Sequence, residues 1–142
     1  MSEISREAFY SKLDAAPLAA SGFFESISQH FERKNDVLVH HTDTKGGDLR
    51  LGIPPEVLGQ KALRNFATMY WQSRNQIVFS RTYLTPDELI GFGFDAGTVP
   101  TDGEPLNSEI RLSEVQWRFG VADFIKALEA AKIKILHQYA SN

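Results

Sequence analysis

The chain has 142 residues, 42% of them hydrophobic, and a formal net charge of −3 at neutral pH, a size and apolar content that suit one domain able to bury its own core. It has no cysteine, which excludes disulfides, thiol nucleophiles and thiolate metal sites together. No run reaches the roughly 18 apolar residues of a spanning helix, and the opening Met1-Ser2-Glu3-Ile4-Ser5 lacks a basic and then apolar leader, so a cytoplasmic protein with no membrane partner is expected.

Residues 5–15 read as a helix that Ser5 caps and Pro17 ends, with Ala8, Phe9, Leu13 and Ala16 near one stripe. A second helix follows, capped by Ser21. Phe24, Ile27 and Phe31 recur in it at the spacing of a buried face, and Asn35 suits a left-handed position just beyond Lys34. Residues 37–41 and 49–53 then alternate in apolar character around Lys45-Gly46-Gly47-Asp48, which predicts a hairpin because glycine supplies the positive φ of a tight turn. Pro54-Pro55 stops the second strand, since proline has no N–H for the ladder.

Residues 66–84 are the most informative stretch: two aromatic-rich strands around the polar Ser73-Arg74-Asn75-Gln76. With Arg74-Asn75 as a two-residue loop, one face carries Ala67, Met69, Trp71, Val78 and Leu84, and the other Phe66, Tyr70, Ile77, Phe79 and Tyr83. Tyr70 then opposes Phe79, Phe66 opposes Tyr83 and Thr68 opposes Arg81. Both faces are apolar, whereas a hairpin with one solvated face shows polar alternation. Either both are covered or one binds something.

Thr85-Pro86-Asp87-Glu88 combines a capping threonine, an N1 proline and an N3 glutamate, which predicts a short helix that Gly91 and Gly93 end. Residues 95–108 hold Gly97, Pro100, Gly103 and Pro105 and form the longest predicted loop. Residues 109–112 suit one more strand. From Val121, Phe124, Ile125, Leu128 and Ala131 outline an amphipathic helix. The stretch Lys132-Ile133-Lys134-Ile135 fits either period, and Leu136 and Tyr139 favour continued helix. The expected fold is thus α+β: N-terminal helices, an antiparallel meander of four or five strands, and a C-terminal helix packed on the sheet, in a single domain over 1–142.

No motif assembles a catalytic, metal or cofactor site. His40-His41-Thr42-Asp43 gathers potential ligands, but neighbouring strand residues point to opposite faces, so only one histidine shares a face with Asp43. Asp43-Thr44-Lys45 has the acid-x-Lys form of metal-dependent nuclease sites, yet it approaches a glycine turn rather than lying inside a strand. His30 stands beside the Phe31 stripe, where a part-buried histidine is ordinary. No serine lies in a Gly-x-Ser-x-Gly elbow, and no glycine-rich phosphate loop occurs. Glu104, Glu109 and Glu114 read as solvated acids.

Residues 37–84 carry six basic residues against three acidic, a net of +3, and residues 85–142 five against nine, a net of −4. The aromatic hairpin therefore sits in the mildly basic part, and Tyr70, Phe79, Arg81, Tyr83, Arg74 and Arg64 are the candidate binding residues. The reading these features support is a small binding or adaptor module, not an enzyme, that engages a protein partner or a second copy of itself and needs no cofactor or metal. Single-stranded nucleic-acid binding on the aromatic and basic sheet face is the alternative, set against an acidic chain with no dense basic stripe. A hydrolase using histidine and the carboxylates of residues 95–109 is a third.

Overall fold

A computed structural model describes residues 3–13, 18–43, 48–72, 76–80, 83–94 and 109–140. The first helix, α1 (Arg6–Lys12), starts where Ser5 accepts a hydrogen bond from the Ala8 amide at 3.1 Å. The second, α2 (Leu18–Glu32), begins three residues before the expected Ser21 cap. Leu18, Ala19 and Ala20 are good helix formers, and Ala20 extends the buried stripe of Phe24, Ile27 and Phe31 backward by one turn. Asn35 does not take the left-handed conformation predicted for it; among the described residues Tyr83 is the only non-glycine with positive φ.

The strands β1 (Leu38–Thr42), β2 (Asp48–Ile53), β3 (Arg64–Gln72), β4 (Gln76–Ser80) and β5 (Glu109–Leu112) form one antiparallel sheet in the order β1-β2-β3-β4-β5. Between β2 and β3 lies α3 (Pro55–Leu58), and beyond β4 lies α4 (Pro86–Gly91), which carries the predicted Thr85–Glu88 capping box. The chain ends in α5 (Glu114–Phe119) and α6 (Val121–Ala140). The α+β class and the meander are as the sequence predicts. No described helix is long and apolar enough to cross a membrane.

The hairpin register differs from the expected one. Gln72 pairs with Gln76, which leaves three residues between the strands instead of two, so Met69 opposes Phe79 and Tyr70 opposes Val78. A one-residue slip turns every β4 side chain over relative to β3. Met69, Trp71, Ile77 and Phe79 consequently share one face, while Tyr70 and Val78 share the other. A second irregularity lies between β2 and β3: Leu51 pairs with Ala67 and Gly52 with Asn65, so Phe66 is the extra residue of a bulge. Both Phe66 and Ala67 are fully buried there. The bulge sits against Gly52, where a Cβ would stand 2.8 Å from Asn65 Oδ1 and make that side chain shift.

Helices α1, α2, α5 and α6 pack on rings of the Met69 face of the sheet. Phe9 packs on His41, Phe31 on Phe66, Trp117 on Trp71 and Phe124 on Phe79, with ring centroids 5.0–6.0 Å apart. Phe23 of α2 also meets Phe124 at 5.1 Å, which joins the two long helices over the sheet. These pairs are tilted or edge-on, the geometry ring quadrupoles favour. At the helix–helix seam the buried Lys132 lies 3.3 Å from Asp36 and 3.6 Å from Glu129, and Glu129 also meets His30 at 3.4 Å. His30 is thus a part-buried interhelical residue.

Helix α5 was not expected from the sequence, although Ser113-x-x-Gln116 is a capping box with both arms formed. Its Trp117 is buried. In α6 the ambiguous stretch is helical, with Ala131 and Ile135 buried and Ile133 exposed.

Phe79→Ala is expected to lower the free energy of unfolding by about 3–5 kcal/mol, read from denaturant midpoints. A cost under about 1 kcal/mol would place the ring outside the core.

Candidate ligand-binding site

The six candidate binding residues do not form one surface. Phe79 faces the helices, fully buried against Phe124 and Phe94. Tyr70 points to the opposite face and is buried there between Asp48 and Val78. The predicted stacking platform of Tyr70 beside Phe79 therefore does not assemble. Arg74 and Arg81 lie outside the described residues, as do residues 95–108 and with them the acids proposed for a hydrolase other than Glu109, which opens β5. Arg64 and Tyr83 are brought together.

Arg64 opens β3 and projects into a cleft of about 620 Å³ walled by residues 58–65, Tyr83 and Tyr139. Local structure sets each wall. Pro54 and Pro55 start α3, Gly59 ends it in the left-handed conformation at φ 65°, and the chain then turns back through residues 60–63 into β3. Tyr83 lies past the end of β4 with φ 56°, a region that a residue bearing a side chain seldom occupies unless its surroundings hold it there. Tyr139 arrives from the last turn of α6, 75 residues along the chain from Arg64.

One guanidinium nitrogen, Nη2, donates to the Tyr139 hydroxyl, and the group sits 5.4 Å from the centroid of that ring. A side-chain hydrogen bond with Tyr83 is the main cause that pushes the Arg64 pKa up, desolvation opposes it, and Tyr139 adds to the rise. The guanidinium is thus charged and oriented by two phenols. Sequence reading finds Arg64 and Tyr83 but misses Tyr139, because nothing local marks a helix-terminal tyrosine as the partner of a distant strand residue.

A second polar cluster occupies the other face of β1 and β2. Asp48 is buried and accepts from Arg50 Nη2 at 2.9 Å, from Arg50 Nε at 3.2 Å and from the Thr42 hydroxyl. Beside it a cavity of about 220 Å³ is lined by Glu3, His40, Thr42, Arg50, Leu63 and Asn65. Glu3 Oε2 lies 3.4 Å from His40 Nδ1. His40 Nε2 and Asn65 Oδ1 are buried with no hydrogen-bond partner among the described residues.

His40 and His41 point to opposite faces, as strand alternation requires. His41 enters the core, where its ring stands 5.0 Å from Phe9 and its Nε2 3.5 Å from the Ser28 hydroxyl; that hydroxyl is 3.4 Å from the Tyr10 hydroxyl. Burial pushes the His41 pKa down, with Glu32 and Glu3 pulling up and Arg6 and His40 adding to the fall. Burial raises Tyr10, against its hydrogen bond to Ser28. The Ser28–His41 pair lies beneath α1 and α2, so it is a structural network without access to substrate.

Compared with protein-family models, with curated proteins and with solved structures, the chain matches none. Its function therefore rests on geometry alone.

Because His41 is harder to protonate in the folded state, its contribution to stability is complete above its ordinary pKa of 6.5 and is lost as pH falls through the lowered value. Denaturation midpoints are expected to fall below about pH 6.5, and His41→Phe to flatten that fall; an unchanged slope in the variant contradicts it. Asp48→Ala strands the half-buried Arg50 and is expected to cost about 3 kcal/mol, measured by the same method.

Proposed function

We propose that this protein is a binding module that associates with a second copy of itself through the outer surface of α5. The observation that carries the reading is the exposure of Phe119 and Val115, at 76% and 67%. They stand four residues apart and so share one side of the helix. Among the described residues the other large exposed apolar side chains, Leu38, Val57, Leu63, Ile90 and Ile133, are each between 37% and 47% exposed, which is ordinary for a surface. An aromatic ring at full display beside a β-branched side chain is not, and such pairs are enriched in protein interfaces.

The apolar surplus that the sequence places on the aromatic hairpin does not support this reading. Tyr70 is buried, and Trp71 is half-buried with its ring against Trp117. Those contacts instead hold α5 in place: Trp117 anchors its inner side, and the Ser113 box caps its start. The outer side is presented rigidly, which lowers the entropy cost of binding.

Charge favours a self-complementary partner. Glu114 and Arg118 flank the apolar pair and lie 2.8 Å apart. A two-fold axis beside α5 sets the acidic end of one copy against the basic end of the other, and such isologous contacts are the commonest route to a dimer.

Sedimentation velocity from low to high micromolar concentration is expected to resolve a dimer. Phe119→Ser should weaken it at least about tenfold, with the fold intact by circular dichroism. A chain that stays monomeric throughout, or a dimer indifferent to Phe119→Ser, overturns the proposal.

A further inference from the structure

We infer that the cleft around Arg64 binds a small anionic molecule, one that carries a carboxylate or phosphate on a ring-sized apolar body. The volume of about 620 Å³ lies within the usual span of small-molecule sites. Its lining is chemically one-sided. Lys61 and Arg64 are basic, Leu58 and Leu63 are apolar, Tyr83 and Tyr139 offer both ring and hydroxyl, and no acidic residue lines the described walls.

Several cations of this chain are already compensated: Arg6, Arg50, Arg118, Lys126, Lys132 and Lys134 each lie within ion-pair distance of a carboxylate. Among the described residues Arg64 instead has only phenols as hydrogen-bond partners, and Lys61 has no carboxylate partner. A phenol orients a guanidinium without neutralising it, so the charge remains available. Arginine carries five N–H donors in a planar fork, and the bonds to two hydroxyls leave donors for a bidentate oxyanion.

Two further features point the same way. Tyr139 lies against the guanidinium, which fixes the fork before a ligand arrives and so reduces what binding must order. Tyr83 keeps a left-handed backbone at φ 56°, and strain of this kind persists at sites where the surroundings over-determine one arrangement. Its hydroxyl meets Arg64, so the strained residue and the uncompensated cation are one assembly. The smaller cavity beside His40 lacks this imbalance, because Glu3 and Asp48 already engage His40 and Arg50.

The site is independent of self-association. Arg64 begins β3 and Trp71, which meets α5, lies near its other end, roughly 23 Å away at the rise of a strand. Failure of the dimer therefore leaves this inference standing, and the reverse also holds.

The test uses the full chain and three probes of similar size: phenyl phosphate, benzoate and benzylamine. Proton NMR titration is expected to give saturable shifts of the Tyr83 and Tyr139 ring signals with at least one of the two anions, at a dissociation constant below about 1 mM, and none with benzylamine. Response to phenyl phosphate alone identifies a phosphate ligand, and response to benzoate alone a carboxylate. Arg64→Gln should weaken binding at least about tenfold with an unchanged amide spectrum elsewhere, and Lys61→Gln should weaken it by less. Three results overturn the inference: no saturation by either anion at 10-fold above that concentration, equal binding of benzylamine, or full affinity in Arg64→Gln.

Discussion

The pairing of Met69 with Phe79 is the constraint on which the rest of the structure depends. It turns Phe79 and Ile77 toward the helices together with Met69 and Trp71, so one sheet face gathers the large apolar side chains of both strands. Phe124 and Phe94 then close over Phe79, and Phe23 ties α2 to the same ring cluster. Had the register been one residue different, Phe79 would lie beside Tyr70 and the two long helices would lose their common anchor. The bulge at Phe66 serves the same end by burying two consecutive residues of β3 where α2 approaches.

The polar groups differ between the face that the helices cover and the other. On the helix side they survive only with partners: Tyr10, Ser28 and His41 form a chain, and Lys132 sits between Asp36 and Glu129. On the other face Asp48 is buried and held by Arg50 and Thr42. Buried charge without a partner is costly, so these pairings are conditions of folding rather than signs of chemistry. Arg64 differs, since neutral phenols hold it at the rim of a cleft. Charge that is oriented yet uncompensated is what a binding site needs and a fold does not.

Much of the fold was legible in local sequence. The Ser5 and Thr85 caps, the Phe24–Ile27–Phe31 stripe, the prolines after β2 and the amphipathic run from Val121 all act over one or two turns, where propensity and capping dominate. Helix α5 was legible too, in the Ser113–Gln116 box, but its six residues carry too little periodicity to stand out. The start of α2 was misplaced because a serine that can cap competes with the longer buried stripe, and the stripe prevailed. Of the candidate site, Arg64 and Tyr83 were visible as a cation and an aromatic near one hairpin. Phe79 and Tyr70 were drawn in only by the assumed register.

Composition, caps and alternation thus suffice for the α+β class, the order of elements and most of their limits, because those signals are short-range. Two matters lay beyond them. Whether two or three residues close the hairpin changes few local energies but reverses a whole strand, so the face that Phe79 takes depends on what packs against it. The meeting of Arg64 with Tyr139 depends on where a 20-residue helix happens to end over the sheet. Both are settled by long-range packing, and the second of them makes the candidate site.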